Sequence, residues 1–369
     1  MTQQPSFPVW RHAGGLAHTL KAIRTGDLTI GFTGGSITDP RPGWNWPEAV
    51  TAWFVEQFPG VRISVENAAI GATGSELGVF RAQRDLIDRG CDLVFVEYAV
   101  NDQGDPEERR ARTREGLLRK LLAGQGRDVV LTYTYSQEQY TDIISGRVPA
   151  TVAQLEALGK HYNIGSVWMG WYAMQEVLRG RMRWEEWLPD GLHPLSRGSL
   201  SYAQSVHTYL ERELISAPGP TNIPMGDARP AALNPNHWED AYSLPFKQVQ
   251  LNGPWTIQRS SKLTWIDQML TTSAVGARLS FEFVGRALSL GFDFGKLSCE
   301  YRYRIDDGEW QLSKRERPWW VTDDGWYRTS TVAEDLAPVR HQFEMEVVHG
   351  NAENCTGTNF KLALIGIVP

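Results

Sequence analysis

Short apolar runs alternate with amphipathic stretches along the first 215 residues. Residues 28–33 (LTIGFT) set Leu28, Ile30 and Phe32 against Thr29 and Thr33, a β-prone pattern that should stop at the Gly34-Gly35 pair. Residues 62–67 (RISVEN) alternate as a second strand. Residues 92–98 (DLVFVEY) form a near-continuous apolar run of the kind buried on both faces of a parallel sheet. Two further strands are expected at 128–135 and 165–169. Between them the spacing predicts helices over 14–24, 46–58, about 75–89, 106–122, 152–162, 172–178 and 197–214. In the helix at 46–58, Trp46, Ala49, Val50, Trp53, Phe54 and Phe58 share a face. The helix at 106–122 reads as charged. Such alternation predicts right-handed βαβ units and a parallel sheet covered by helices on both faces. Function in such sheets gathers at the carboxyl ends of the strands, and Ser36, Gly71 and Asn101 each follow one of the first three.

The texture then changes. Residues 216–235 (SAPGPTNIPMGDARPAALNP) are rich in Pro, Gly and Ala without periodicity, which marks a linker or a surface strap. Beyond it, 279–283, 288–292, 300–305 and 342–348 are short alternating runs with no helix between them. Turn signals such as Asp306-Asp307-Gly308 and Asp323-Asp324-Gly325 separate them, the signature of a β-sandwich. A chain of 369 residues exceeds the size of one growing core, so two domains are expected: an α/β domain at 1–215, a linker at 216–235 and a β-sandwich at 236–369.

Composition narrows the partners. A formal charge of -6 offers no electrostatic footprint for nucleic acid or an anionic membrane. The chain has no apolar run of about 18 residues, and its start, MTQQPSFPVWRHAGG, lacks the basic and apolar regions of a signal peptide. A cytoplasmic location is expected. Cys91, Cys299 and Cys355 are too few and too scattered for a disulfide framework or thiolate zinc site, and Cys91 reads as a small buried hydrophobe. Fifteen tryptophans are a high count, and indoles stack well on sugar C–H faces, although core packing is the commoner use of any one of them.

Gly34 and Gly35 can take backbone angles that strain a side chain, and Ser36 follows them where a helix start would leave free N–H donors. The same Gly-Gly-Ser also serves as a plain turn with an N-cap serine. Asn101 can be a turn former and Gly71 a turn glycine, while Asp190-Gly191-Leu192-His193-Pro194 can be a metal loop or a helix entry. Acyl transfer needs this set of parts together. A serine hydroxyl requires an imidazole to take its proton, the imidazole a carboxylate to orient it, and the oxyanion preset donors.

In these blocks the sequence resembles the SGNH hydrolases, the GDSL esterase and lipase superfamily, over residues 25–215. GGSIT at 34–38 is similar to its first block, Gly71 in NAAIGATG to the second, Asn101 in YAVND to the third and DGLHP at 190–194 to the last. The resemblance implies a flavodoxin-like three-layer α/β/α domain. It also implies Ser36 as nucleophile, His193 as base and Asp190 as its acid. The oxyanion hole would come from the Ser36 and Gly71 N–H groups and the Asn101 side chain. Two positions depart from the pattern: Gly35 stands where the family usually has Asp, and Ala99 where it has Gly.

No metal or organic cofactor is required by such chemistry. With an added sandwich, jelly-roll-like in expectation, the chain looks like carbohydrate esterases that remove acetyl groups from glycans. The expected substrate is an acetylated oligosaccharide. A general short-chain esterase or lysophospholipase-like hydrolase is the rival enzyme. A carbohydrate-binding protein on a retired hydrolase scaffold is the non-enzymatic alternative. Indoles from the loop 39–46 and from Trp184-Glu185-Glu186-Trp187 are expected beside the site, and Ser136, Glu138 and Asp142 in a solvated loop. The sandwich is a candidate for homo-oligomer contact as much as for glycan binding.

Overall fold

The computed structural model describes residues 6–40, 45–219, 229–313, 315, 325–351 and 355–369. The chain divides into two compact units, Met1–Glu239 and Asp240–Pro369.

The first unit is built on a six-stranded sheet. Its strands are β1 (Trp10–Arg11), β2 (Asp27–Gly34), β3 (Arg62–Asn67), β4 (Leu93–Glu97), β5 (Asp128–Thr132) and β6 (Gly165–Val167), in the order β1-β6-β5-β4-β2-β3. The pairings among β2 to β6 are parallel, and β1 adds an antiparallel edge that the sequence pattern did not anticipate. Two residues are too short a run to carry periodicity.

The helices are α1 (Ala17–Thr25), α2 (Trp46–Gln57), α3 (Ser75–Ala82), α4 (Glu107–Leu122), α5 (Tyr140–Ile144), α6 (Ala150–His161), α7 (Met169–Leu178), α8 (Trp184–Trp187) and α9 (Ser196–Glu211); all follow the expected spacing except α5 and α8, which at five and four residues are too short to show a period. β4 and β5 are buried along their whole length, as their apolar runs require. From β2 the chain steps outward to β3 and then returns to the other side of β2 as β4. The strand order therefore reverses between β2 and β4, the topological switch point where open α/β sheets place their ligands.

The first unit runs past the expected linker. Glu115 of α4 accepts the Leu233 and Asn234 N–H groups at 2.6 and 2.7 Å, and the Trp238 N–H donates to Arg112 O at 3.1 Å. Trp238 is 1 % exposed, and a Cβ on Gly116 would stand 2.5 Å from its carbonyl carbon, so only glycine fits beneath it. Residues 220–228 of the expected linker lie outside the described residues.

The second unit is a β-sandwich. One sheet holds β9 (Thr256–Gln258), β10 (Met269–Thr272), β12 (Ala287–Phe294), β15 (Trp326–Ala333) and β17 (Phe360–Val368), with β7 (Tyr242–Ser243) added on β17. The other holds β8 (Gln250–Asn252), β11 (Arg278–Val284), β13 (Glu300–Ile305), β14 (Gln311–Leu312) and β16 (Arg340–Val348). Alternation decides what faces inward: Leu279, Phe281 and Phe283 from β11 and Phe343, Met345 and Val347 from β16 meet Leu288, Leu290 and Phe292 from β12 in one core. Of the expected turn at 323–325, residues 323 and 324 fall outside the described residues.

Candidate active site

β2 ends at Gly34, and the chain turns so that the Thr38 and Asp39 N–H groups both donate to Gly35 O at 3.0 Å. Ser36 stands at the tip, half-buried. Its neighbours explain the two glycines. A Cβ at Gly34 would lie 2.7 Å from Glu97 O, and one at Gly35 would lie 1.8 Å from Asn101 Oδ1. The Asn101 amide occupies the space a side chain at 35 would need, which accounts physically for Gly35 in this chain.

The base arrives from the far end of the unit. Between α8 and α9, Asp190 Oδ1 accepts the Leu192 and His193 N–H groups at 2.9 and 2.7 Å, folding the loop on itself. Gly191 takes φ +78°, and the Gln137 N–H donates to its carbonyl at 2.8 Å. This turn sets Asp190 Oδ2 2.8 Å from His193 Nδ1, and His193 Nε2 lies 2.9 Å from Ser36 Oγ. Burial pushes the Asp190 carboxyl upward, yet the ring of His193 and the two N–H groups outweigh it and hold the group below the ordinary carboxylate range.

The structure therefore brings Ser36, His193 and Asp190 into one hydrogen-bonded series, with Asn101 against the residue before Ser36. Asn101 opens a 3-10 turn, Asn101–Gly104, directly after β4 and the tail that follows it. Gly71 lies on the loop after β3. There the Ala68 N–H donates to Phe32 O at 2.8 Å and the Ile70 N–H to Gly34 O at 3.0 Å, stitching the loop to the strand that carries Ser36.

A cavity of about 520 Å³ opens at this point, lined by Ser36, Asn45, Pro189, Asp190, His193, Pro194 and Leu195. Asn45 was not anticipated. Its Nδ2 donates to Ser36 O at 3.3 Å and to Asp39 O at 2.6 Å, closing the loop that follows the serine. The sequence signal was there, since Asn immediately before Trp46-Pro47 is a helix-start pattern.

The expected indoles need correction. Trp46 is fully buried, edge-on to Phe32 and Phe95, and its Nε1–H donates to Thr38 Oγ1 at 3.1 Å. Trp187 is fully buried against Tyr135, and the half-buried Trp184 meets Tyr135 and Tyr140. Trp44 lies outside the described residues. Ser136, expected in a solvated loop, is buried, with its hydroxyl on Gln103 Oε1 at 3.3 Å. Cys91 is buried, its thiol pushed up to about 12 by desolvation. Among the described residues no group of three or more His, Cys, Asp or Glu side chains is placed to hold a metal ion.

No family model matches the chain. No curated protein matches it either. Among solved structures it is similar to a two-domain esterase active on acetylated mannans, at 23% identity and TM-score 0.80 over 96% of each chain. The same enzyme crystallised with mannopentaose gives TM-score 0.79 at 23% identity, again over 96% of each chain. A catalytic mutant of an acetylxylan esterase from Geobacillus stearothermophilus aligns with 52% of this chain and 97% of its own at 17% identity and TM-score 0.42. The three-layer α/β domain expected from the likeness to SGNH hydrolases and the β-sandwich expected from the alternating strands are together the fold of a two-domain esterase, and that is the fold of this chain.

Proposed function

We propose that this chain is a serine ester hydrolase that removes acetyl groups from an acetylated saccharide. The observation that carries the proposal is the series Ser36 Oγ, His193 Nε2, His193 Nδ1 and Asp190 Oδ2, at 2.9 and 2.8 Å. With Asp190 accepting the Nδ1 proton, Nε2 is left with its lone pair facing the serine hydroxyl, the tautomer a general base needs. Ser36 Oγ attacks the ester carbonyl as its proton passes to His193 Nε2. The tetrahedral oxyanion is held by the Ser36 and Gly71 N–H groups and the Asn101 amide. Collapse expels the sugar hydroxyl, protonated by His193, and leaves acetyl on Ser36. Water, deprotonated by His193, attacks the acyl-enzyme, and acetate leaves as the proton returns to Ser36.

The saccharide ester is favoured by the likeness in fold to an esterase active on acetylated mannans, over nearly the whole length of both chains. The wall of the cavity made by Pro189, Pro194 and Leu195 suits a small apolar acyl group.

Acetate release across acetylated manno-, xylo-, gluco- and pectic oligosaccharides tests the reading. The wild-type chain is expected to deacetylate at least one class, and Ser36→Ala to lose about 10³-fold or more while staying folded. Retention of most of the rate by Ser36→Ala removes the nucleophile assignment. Rates rising from acetyl to octanoyl esters remove the deacetylase in favour of a general esterase.

A further inference from the structure

Directly beneath the serine turn lies a carboxyl group that the reaction above does not use. Glu97 is the last residue of β4 and is fully buried. Leu93, Val94, Phe95 and Val96 precede it in the same strand, so packing alone calls for another aliphatic residue here. Instead its two oxygens gather donors from three directions. Thr134 Oγ1, just beyond β5, donates to Oε1 at 2.7 Å. Thr38 Oγ1 donates to Oε2 at 3.1 Å, and the Gly35 N–H approaches the same oxygen at 3.4 Å.

The direction of the Thr38 bond is fixed by its other partner. Trp46 Nε1–H donates to Thr38 Oγ1, which leaves the threonine proton for Glu97. The three partners of the carboxyl are neutral donors, and burial raises its pKa. So costly a group is kept only where its acceptors are needed. The two Oε2 donors, Gly35 and Thr38, flank Ser36 in the chain. The turn is thus gripped just before and just after the serine, and Oε1 anchors that grip to the neighbouring strand. Gly34 allows it: a Cβ there would stand 2.9 Å from Oε2.

We propose that Glu97 is a positioning residue for the serine: it fixes the Gly35 peptide and Thr38 so that Ser36 Oγ is presented to His193 Nε2. The inference rests on the reading of Ser36 as nucleophile. A carboxyl suits the task because its two oxygens offer about four acceptor sites on one rigid plane. Glutamine retains most of this. Its oxygen accepts from Gly35 and Thr38 while its amide donates to the Thr134 hydroxyl. Alanine retains none.

The test compares Glu97→Ala, Glu97→Gln and Thr134→Val with the wild-type chain. The readouts are kcat and KM on p-nitrophenyl acetate, the rate at which a fluorophosphonate labels Ser36, and the thermal midpoint. Glu97→Ala is expected to lower kcat and the labelling rate by about 10²-fold, the usual consequence of a small misplacement of a reacting group, with KM little changed. Glu97→Gln should recover most of both rates, and Thr134→Val should fall between. A folded Glu97→Ala with wild-type kcat and labelling rate overturns the proposal, as does a Glu97→Gln no better than alanine. Should the alanine variant fail to fold, Thr134→Val decides: unchanged rates overturn the inference, lowered rates with an intact fold uphold it. A folded wild-type chain that the fluorophosphonate leaves unlabelled at Ser36 overturns instead the nucleophile reading on which all of this stands.

Discussion

Asp190 receives three donors on two oxygens, and the division of labour between those oxygens sets what a substitution does. Oδ1 folds the loop through the Leu192 and His193 N–H groups, and Oδ2 faces the His193 ring. In Asp190→Asn the amide oxygen can keep the loop bonds, but the NH₂ group then faces Nδ1. The imidazole is driven to the tautomer with its proton on Nε2, which cannot take the proton of Ser36. We expect kcat to fall by about 10²- to 10⁴-fold at an unchanged thermal midpoint, read from acetate release. At this scale the motif residues were legible because each stands at the end of a strand or in a self-closing turn, where local chemistry needs few neighbours to make sense. Asn45 and Glu97 were not. The partners of Glu97 on Thr38 and Thr134 lie 59 and 37 positions away in the chain, so nothing local marks what its carboxyl holds. The tryptophans misled for a related reason. Nearness in sequence to the serine fixes where the backbone of residue 46 is, while the helical face shared with Val50 and Phe54 turns its ring into the core.

Among the elements, α4 departs most from its reading. Its charges suggest a solvated helix, yet Arg110, Arg114, Glu115 and Lys120 are buried. Three of them bond to backbone of a different segment, Lys120 Nζ to Val79 O, Glu115 to the N–H groups at 233 and 234, and Arg114 to Tyr98 O and Thr151 O, while Arg110 bonds to Asp105 O just before its own helix. Periodicity registers charge and spacing, and it carries no information about a partner strand of chain arriving 120 residues later. Arg114 matters most for the site. Its Nε donates to Asp102 Oδ2 at 2.7 Å, with the two side chains 1 % and 0 % exposed. Asp102 Oδ1 in turn accepts the Ser75 N–H at 2.8 Å. The loop holding Gly71 and the turn holding Asn101 are therefore anchored to one buried ion pair. Arg114→Met leaves the Asp102 charge buried and unpaired, which should cost about 3–5 kcal/mol in urea unfolding. A loss below about 1 kcal/mol, the size seen for exposed ion pairs, would mean that this pair does not anchor the two segments.

For the molecule as a whole, stability depends on pH through both units, and the second unit holds a histidine–aspartate pair of its own. In the sandwich, His341 Nδ1 lies 2.9 Å from Asp306 Oδ2 and Nε2 lies 2.8 Å from Ala337 O. A carboxylate and a carbonyl can only accept, so both ring nitrogens must donate and the folded state holds His341 as imidazolium. The Asp306 carboxylate, helped by the Ala337 carbonyl, raises the pKa of the histidine. The His341 ring, with the Gln342 N–H, lowers that of Asp306. The signs then work out as follows. A raised histidine stabilises the fold fully below its unfolded value, about 6.5, and the contribution fades as pH rises through the folded one. A lowered aspartate stabilises fully above its unfolded value, about 3.9, and fades as pH falls through the folded one. The pair therefore supports the sandwich most between about pH 4 and 6.5, and the half-exposed Asp306 keeps the effect modest. The ring of His341 should titrate above pH 6.5 by NMR, and Asp306→Asn should bring it down. The same variant should be less stable than wild type near pH 5.5 and lose that difference over the interval in which the folded histidine gives up its proton. A difference in stability that persists unchanged across this interval would place the role of Asp306 in closing the turn at 306–308 through the Gln342 N–H, which it accepts at 2.9 Å, and not in its charge on the ring.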